Sequence, residues 1–122
     1  MNVSKKIIIF KNDAVGDLVQ SLQPIYNIIK HNTKNDITIY LSERSKDFSF
    51  FFNYDNVKIN LVNYNLSLTQ KTKIFFKLFS EKIDSIYILT PKTFYFYLPF
   101  FFKKIRFYGL CINSVNNYKR PP

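Results

Sequence analysis

Cysteine and histidine are nearly absent from this 122-residue sequence, which contains one of each, Cys111 and His31. A single cysteine cannot close an internal disulfide, and one cysteine with one histidine cannot build a multi-cysteine or histidine-rich metal site. The sequence therefore predicts no bound metal. Because disulfide frameworks belong to oxidising compartments, a single cysteine also makes the cytoplasm the expected location.

Glycine is also scarce, with Gly16 and Gly109 as its only positions. Two glycines cannot supply the three of a dinucleotide-binding G-x-G-x-x-G motif, and the G-x-x-x-x-G-K-[ST] phosphate loop is absent, so no cofactor is predicted.

Long apolar runs are missing too. The longest, Phe94–Phe102, has nine residues and contains Pro99, whereas spanning a bilayer takes about 20. Ile7–Phe10 is too short for a signal peptide.

Positive charge dominates, with 18 Lys and Arg residues against eight acidic ones and a formal net charge of +10. Such a balance favours nucleic acid or an anionic membrane as a partner. The charges are scattered rather than gathered in one block, and Lys, Asn, Ile, Phe and Tyr dominate as in the product of an AT-rich genome. Codon usage and a basic binding face can coexist as explanations. We do not expect nucleic acid as the partner.

Strand and helix patterns alternate along the whole chain, which at 47% hydrophobic residues can bury one core. Strands are predicted at Ile7–Phe10, Ile37–Leu41, Val57–Val62, Ile86–Leu89 and Ile105–Tyr108. Helices are predicted from Leu18 to Ile29, with a kink at Pro24, and at Ser67–Lys82 and Thr93–Lys103, with a short helix between Ser42 and Phe52. This order predicts βαβ units and a Rossmann-like α/β domain with a parallel sheet. We place the domain at residues 1–115 and the start of a linker at 116–122.

The loop after the first predicted strand contains the candidate site residues, since ligands of open α/β sheets bind outside the carboxyl ends of the strands. They are Lys11, Asn12, Asp13, Gly16 and Asp17. Asp17 is the candidate general base, because the following helix N-terminus favours its ionised form. Capping of that helix is the alternative role. Gly16 permits close backbone approach, Asp13 could instead bond its own loop, and Lys11 could bind an anion or simply be solvated.

The aromatic run Phe94–Phe102 has two interpretations, a helix packed on the sheet or a surface that lies on a membrane. We favour the packed helix, and the same applies to Phe50–Phe52. His31 is expected to complement the dipole of the first helix, and Cys111 to be a small interior residue.

Residues Ile7–Lys30, IIIFKNDAVGDLVQSLQPIYNIIK, resemble the opening of family 9 glycosyltransferases, the family of the lipopolysaccharide heptosyltransferases. There an apolar strand runs into (R/K)-x-D-x-(I/L/M/V)-G-D, and a proline follows seven residues after the last Asp. The matching residues are Lys11, Asp13, Val15, Gly16, Asp17 and Pro24. Weaker similarity continues through Ile37–Arg44, Asp84–Leu89 and Lys103–Leu110. Asn12 departs from the leucine or small polar residue of many members, which leaves the acceptor open.

The resemblance implies the N-terminal, acceptor-side half of a GT-B glycosyltransferase, in which two Rossmann-like domains face each other across a cleft. It implies that Asp17 is the catalytic base of an inverting, metal-independent transfer. Lys11, Asn12, Asp13 and Gly16 then line the acceptor cleft. The implied partners are a lipid-linked saccharide acceptor of the lipopolysaccharide type and an ADP-activated donor of heptose or a related sugar.

No donor domain lies within these 122 residues, so we expect the isolated chain to be inactive and enzymatic activity to belong to a two-domain parent. The implied location is the cytoplasm, with possible peripheral contact at the inner face of the cytoplasmic membrane. Two other classes stay open. One is a non-catalytic α/β module that binds a nucleotide or phosphate at the helix beginning near Gly16. The other is a basic domain that binds an anionic surface.

Overall fold

A computed structural model describes residues 4–13, 15–90 and 92–109. The strands within them are β1 (Lys6–Lys11), β2 (Asp36–Ser42), β3 (Val57–Val62), β4 (Ser85–Ile88) and β5 (Arg106–Gly109). The helices are α1 (Val15–Lys30), α2 (Leu68–Ser80) and α3 (Thr93–Phe101), and a 3₁₀ segment, Glu43–Phe52, joins β2 to β3. The domain boundary predicted at 115, the linker and Cys111 lie outside the described residues.

The strands form one parallel sheet in the order β3-β2-β1-β4-β5. β1 is central, with Ile7 beside Ile37 of β2 and beside Ser85 of β4. Its residues Ile9 and Phe10 are completely buried, because neighbouring strands cover both edges and helices cover both faces. The Rossmann-like α/β fold predicted from the alternating patterns is confirmed.

Two hydrophobic cores lie on opposite faces of the sheet. One face packs against α1 and the 3₁₀ segment through Leu18, Ile25, Ile29 and Phe52. The other packs against α2 and α3 through Ile74, Leu78, Tyr95 and Leu98. This division follows from the alternation of side chains along each strand, which sends Ile8 and Ile9 of β1 to different faces.

Hydroxyl side chains begin two of the helical segments at the predicted positions. The Ser67 hydroxyl accepts a hydrogen bond from the backbone N–H of Gln70, and the Gln70 side-chain oxygen accepts one from the backbone N–H of Ser67, which forms a capping box for α2. Ser42 likewise accepts from the backbone N–H of Arg44. α1 continues through Pro24 to Lys30.

The aromatic run on α3 is divided between core and solvent. Tyr95 and Leu98 are buried, as expected for a helix packed on the sheet. Four other aromatic residues are 48–71% exposed, namely Phe96, Tyr97, Phe100 and Phe101. The run thus forms the helix packed on the sheet that we favoured, but only one of its faces is buried, because a helix against a sheet leaves its other face to solvent.

Candidate functional site

Asp17 and Gly16 occupy the first turn of α1, directly beyond the carboxyl end of β1, and both are exposed. Nothing lies within 4 Å of a Cβ added to Gly16, and its φ lies outside the left-handed region. The fold itself therefore does not require glycine there. What the glycine provides is open space above the N-terminus of α1, where unpaired N–H groups favour negative charge.

Lys11 and Asp13 form an ion pair in the interior, with side chains only 5% and 9% exposed. The Lys11 Nζ lies 3.0 Å from Asp13 Oδ2 and donates to the carbonyl oxygen of Leu89 at 2.8 Å. Two of its three donors are thus used within the fold. The solvated lysine considered from sequence is wrong, and the ion pair instead joins the ends of β1 and β4.

Burial raises the pKa of the Asp13 carboxyl above its usual value, although Lys11 opposes the shift and Asp17 adds to it. Asp13 Oδ1 is buried without a hydrogen-bond partner among the described residues. Asp13 is therefore an engaged interior carboxylate, whereas Asp17 is the accessible one.

Asn12 is completely buried, and its amide bridges three elements. Nδ2 donates to the carbonyl oxygens of Asn63 at 3.1 Å and Tyr64 at 3.4 Å, while Oδ1 accepts from the Tyr95 hydroxyl at 2.7 Å. The Tyr95 ring also stacks on Phe10, with centroids 4.1 Å apart. Asn12 thus holds the segment after β3 against β1 and α3.

Tyr95 is a site-supporting residue that sequence reasoning missed. Burial raises the pKa of its hydroxyl far above its ordinary value, with smaller contributions from Tyr40 and Asp13, so it remains a neutral donor to Asn12. Nothing in the run TFYFYLPFF distinguishes this tyrosine from Tyr97, which is exposed.

Two cationic side chains that the sequence did not single out meet at Tyr64. The Arg44 guanidinium lies 4.5 Å from the ring centroid, and the Lys92 Nζ lies 4.0 Å from it. The signal that could have identified them is position, because each follows shortly after a predicted strand. Arg44 follows β2, Tyr64 follows β3 and Lys92 follows β4. All three therefore lie at the same edge of the sheet as Asp17.

The structure therefore places all five predicted site residues at the carboxyl edge of the sheet, two of them exposed and three buried. Within residues 4–13, 15–90 and 92–109, no three His, Cys, Asp or Glu side chains are grouped so that they could hold a metal ion. In the same ranges, no helix combines the length and apolar character needed to cross a membrane.

A parallel sheet flanked by helices, with polar loops at the carboxyl ends of its strands, defines a Rossmann-like α/β domain. The fold is similar to the crystal structure of the glycosyl transferase family 9 from Veillonella parvula DSM 2008, with a TM-score of 0.62. The match has 17% sequence identity and covers 82% of this chain but 30% of that one. At this identity the likeness concerns the fold, and the fold implied by the sequence resemblance is thereby confirmed.

No protein-family profile matches the chain, and no curated protein sequence matches it significantly.

Proposed function

We propose that this chain is the acceptor-side domain of a glycosyltransferase and that Asp17 is its general base. The observation that carries the proposal is the exposure of Asp17 in the first turn of α1, beyond the central strand of a fold shared with a family 9 glycosyl transferase. An accessible carboxylate at the carboxyl edge can meet an acceptor hydroxyl that arrives from solvent.

In the proposed reaction, Asp17 takes the proton of an acceptor hydroxyl while the oxygen of that hydroxyl bonds to the anomeric carbon of the donor sugar. The bond from that carbon to the donor phosphate oxygen breaks, and its electron pair leaves on the phosphate. Asp17 is a better candidate than Asp13, because Asp13 is buried and paired with Lys11. Asp17 lies in the first turn of α1, at the positive end of the helix dipole.

The other predicted site residues have supporting roles in this proposal. Lys11 and Asp13 link the ends of β1 and β4 beside the reacting region, and Asn12 positions the segment after β3. Gly16 leaves the space through which an acceptor approaches the backbone of α1. Direct ligand contacts by these residues remain predictions.

For the partners, we propose a lipid-linked saccharide acceptor of the lipopolysaccharide type and an ADP-activated donor of heptose or a related sugar. The donor would bind to a second domain, since this chain spans 30% of the similar glycosyl transferase. We further propose a cytoplasmic location with peripheral membrane contact. The exposed aromatic residues of α3, close to Lys103 and Lys104, support contact with a lipid surface.

Asp17→Asn tests the base assignment in a polypeptide that also carries the donor domain. We expect kcat to fall by about 10²–10⁴-fold, the usual contribution of a general base, while stability changes by less than about 1 kcal/mol. Asp55→Asn is the matched control, because Asp55 is equally exposed but lies near the start of β3, at the opposite edge of the sheet. Full transfer activity in the Asp17 variant would show that the base is another group.

A further inference from the structure

Arg44 and Lys92 approach the same aromatic ring from different elements. Arg44 belongs to the 3₁₀ segment after β2, and Lys92 precedes α3, yet both cationic groups lie within 4.5 Å of the Tyr64 ring centroid. Arg44 is exposed, while Tyr64 and Lys92 are half-buried. Two cationic groups from different elements are therefore gathered at one partly exposed ring.

Two like charges gathered at one ring repel each other, while each is attracted to the face of the ring. Elsewhere in the fold a carboxylate joins two cations, since Glu81 pairs with both Lys6 and Lys77. In the described part of the chain, no carboxylate lies within 4.0 Å of Arg44 or Lys92. An anion bound from solvent would supply the missing opposite charge.

The segment that carries Tyr64 is held in place by buried groups. Asn12, itself completely buried, donates to the carbonyl oxygens of Asn63 and Tyr64 and accepts from Tyr95. The Arg44 backbone is fixed by its hydrogen bond to the Ser42 hydroxyl. The cations thus project from a preformed frame, which lowers the entropic cost of binding a ligand.

A groove of about 180 Å³ adjoins this cluster, with Lys71, Lys92, Thr93 and Phe94 among its lining residues. Lys71 adds a third cation, with its Nζ 5.8 Å from the Phe94 ring centroid. The groove also reaches the start of α3, where Lys92 occupies the N-cap without a side-chain hydrogen bond. N–H groups at an uncapped helix start favour an anion, and here they lie beside two lysines.

We propose that Arg44 and Lys92 form a binding site for an oxyanion, a phosphate or carboxylate group, carried by the acceptor saccharide. The guanidinium offers two parallel N–H donors to the oxyanion, and the lysine adds a compact charge. Both cationic groups lie against the Tyr64 ring, so an oxyanion held by them would bring its saccharide next to that ring. The assignment to an acceptor rests on the proposed function, whereas oxyanion binding itself does not.

The test uses the 122-residue chain with inorganic phosphate and with acetate, titrated at a constant ionic strength of about 0.15 M, where exposed charges more than about 8 Å apart are largely screened. Binding is followed by calorimetry and by the backbone amide NMR shifts of Tyr64 and Thr93. The variant is Arg44→Gln with Lys92→Gln. The control is Lys34→Gln with Lys82→Gln, which removes the same charge from two exposed lysines before β2 and β4.

We expect saturable binding with shifts centred on Tyr64 and Thr93, weakened at least about tenfold in the Arg44 and Lys92 variant and less than about twofold in the control. Stronger binding of phosphate would identify a phosphate group, and equal or stronger binding of acetate would identify a carboxylate. A Lys92→Arg variant, which keeps the charge, should retain most of the affinity of the unaltered chain.

The proposal is overturned if neither anion binds, or if both double variants weaken binding equally, since that indicates only general attraction to a basic protein. Loss of binding in Gly16→Ala but not in the Arg44 and Lys92 variant would also overturn it, because the anion would then bind at the start of α1. Because no step of the test involves Asp17 or transfer, its outcome is separate from that of the proposed function.

Discussion

Asp13 and Glu81 show how the surroundings of a carboxyl group change its pKa. Burial is the largest influence on Asp13 and raises its pKa, since a single ion pair with Lys11 does not outweigh it. At Glu81 burial acts in the same direction, but Lys77 and Lys6, each with Nζ 3.1 Å from a carboxylate oxygen, together lower the pKa. The pKa values of two acidic residues in one small fold are thus shifted in opposite directions.

We predict that carboxyl ¹³C NMR titration of the folded chain gives a midpoint above 3.8 for Asp13 and below 4.5 for Glu81. The raised pKa means that the Asp13 contribution is most favourable below about pH 4 and is lost as pH rises through its folded pKa. The lowered pKa means that the Glu81 contribution is present above about pH 4.5 and is lost as pH falls through its folded pKa. A midpoint at or below 3.8 for Asp13, or at or above 4.5 for Glu81, would contradict the environment described for that residue.

Tyr95 contributes to stability through one hydroxyl. We predict that Tyr95→Phe lowers the free energy of unfolding by about 1–3 kcal/mol, because Asn12 Oδ1 is then left buried without its donor. Tyr97→Phe on the same helix is the control, and it should change stability by less than about 0.5 kcal/mol since Tyr97 is 57% exposed. Urea denaturation measures the free energy of unfolding of both variants. Equal losses would show that the hydrogen bond from Tyr95 to Asn12 contributes no particular stability.

At the scale of elements, α3 has one face in the core and one that presents aromatic rings to solvent. Its N-terminus supports the cationic site, because Lys92 precedes it and Tyr95 in its first turn holds Asn12. Phe100 and Phe101 near its end are 71% and 63% exposed and are followed by the exposed Lys103 and Lys104. Aromatic rings beside lysines are suited to the boundary between water and an anionic lipid surface.

We predict that Phe100→Gln with Phe101→Gln lowers binding of the chain to vesicles containing phosphatidylglycerol at least about tenfold, because two large apolar side chains no longer enter the lipid. Phe50→Gln with Tyr54→Gln is the control, since these residues are 65% and 45% exposed near the end of the 3₁₀ segment. Vesicle flotation measures both. Comparable losses in the two double variants would mean that α3 is not the contact surface.

For the whole molecule, the parallel sheet explains why the functional candidates meet. All strands run the same way, so Asp17 after β1, Arg44 after β2, Tyr64 after β3 and Lys92 after β4 come to one edge. The opposite edge carries the ion pairs of Glu81 with Lys6 and Lys77, which connect α2 to β1. The candidate site residues thus lie at one edge of the sheet, and the ion pairs of Glu81 lie at the other.

Much of the fold follows from local sequence patterns. The run Ile7–Phe10 predicts a buried central strand, and spacings of three and four residues predict α1 and α2. The helix start predicted at Ser67 agrees with α2, whose capping box involves only residues close in the chain. The Asp13–Asp17 motif likewise indicated the candidate loop, since its position after a strand is a local property.

What depends on distant residues was decided only by the tertiary structure. The partners of Asn12 lie beyond β3 and on α3, so no local pattern could show that its amide is buried and engaged. The pairing of Arg44 and Lys92 at Tyr64 required the strand order β3-β2-β1-β4-β5, which brings three separate loops together. The sequence alone determined which segments become strands and helices, because periodicity and capping act over a few residues. The packing of those segments decided which polar groups are buried and which charges converge, because both depend on contacts between residues far apart in the chain.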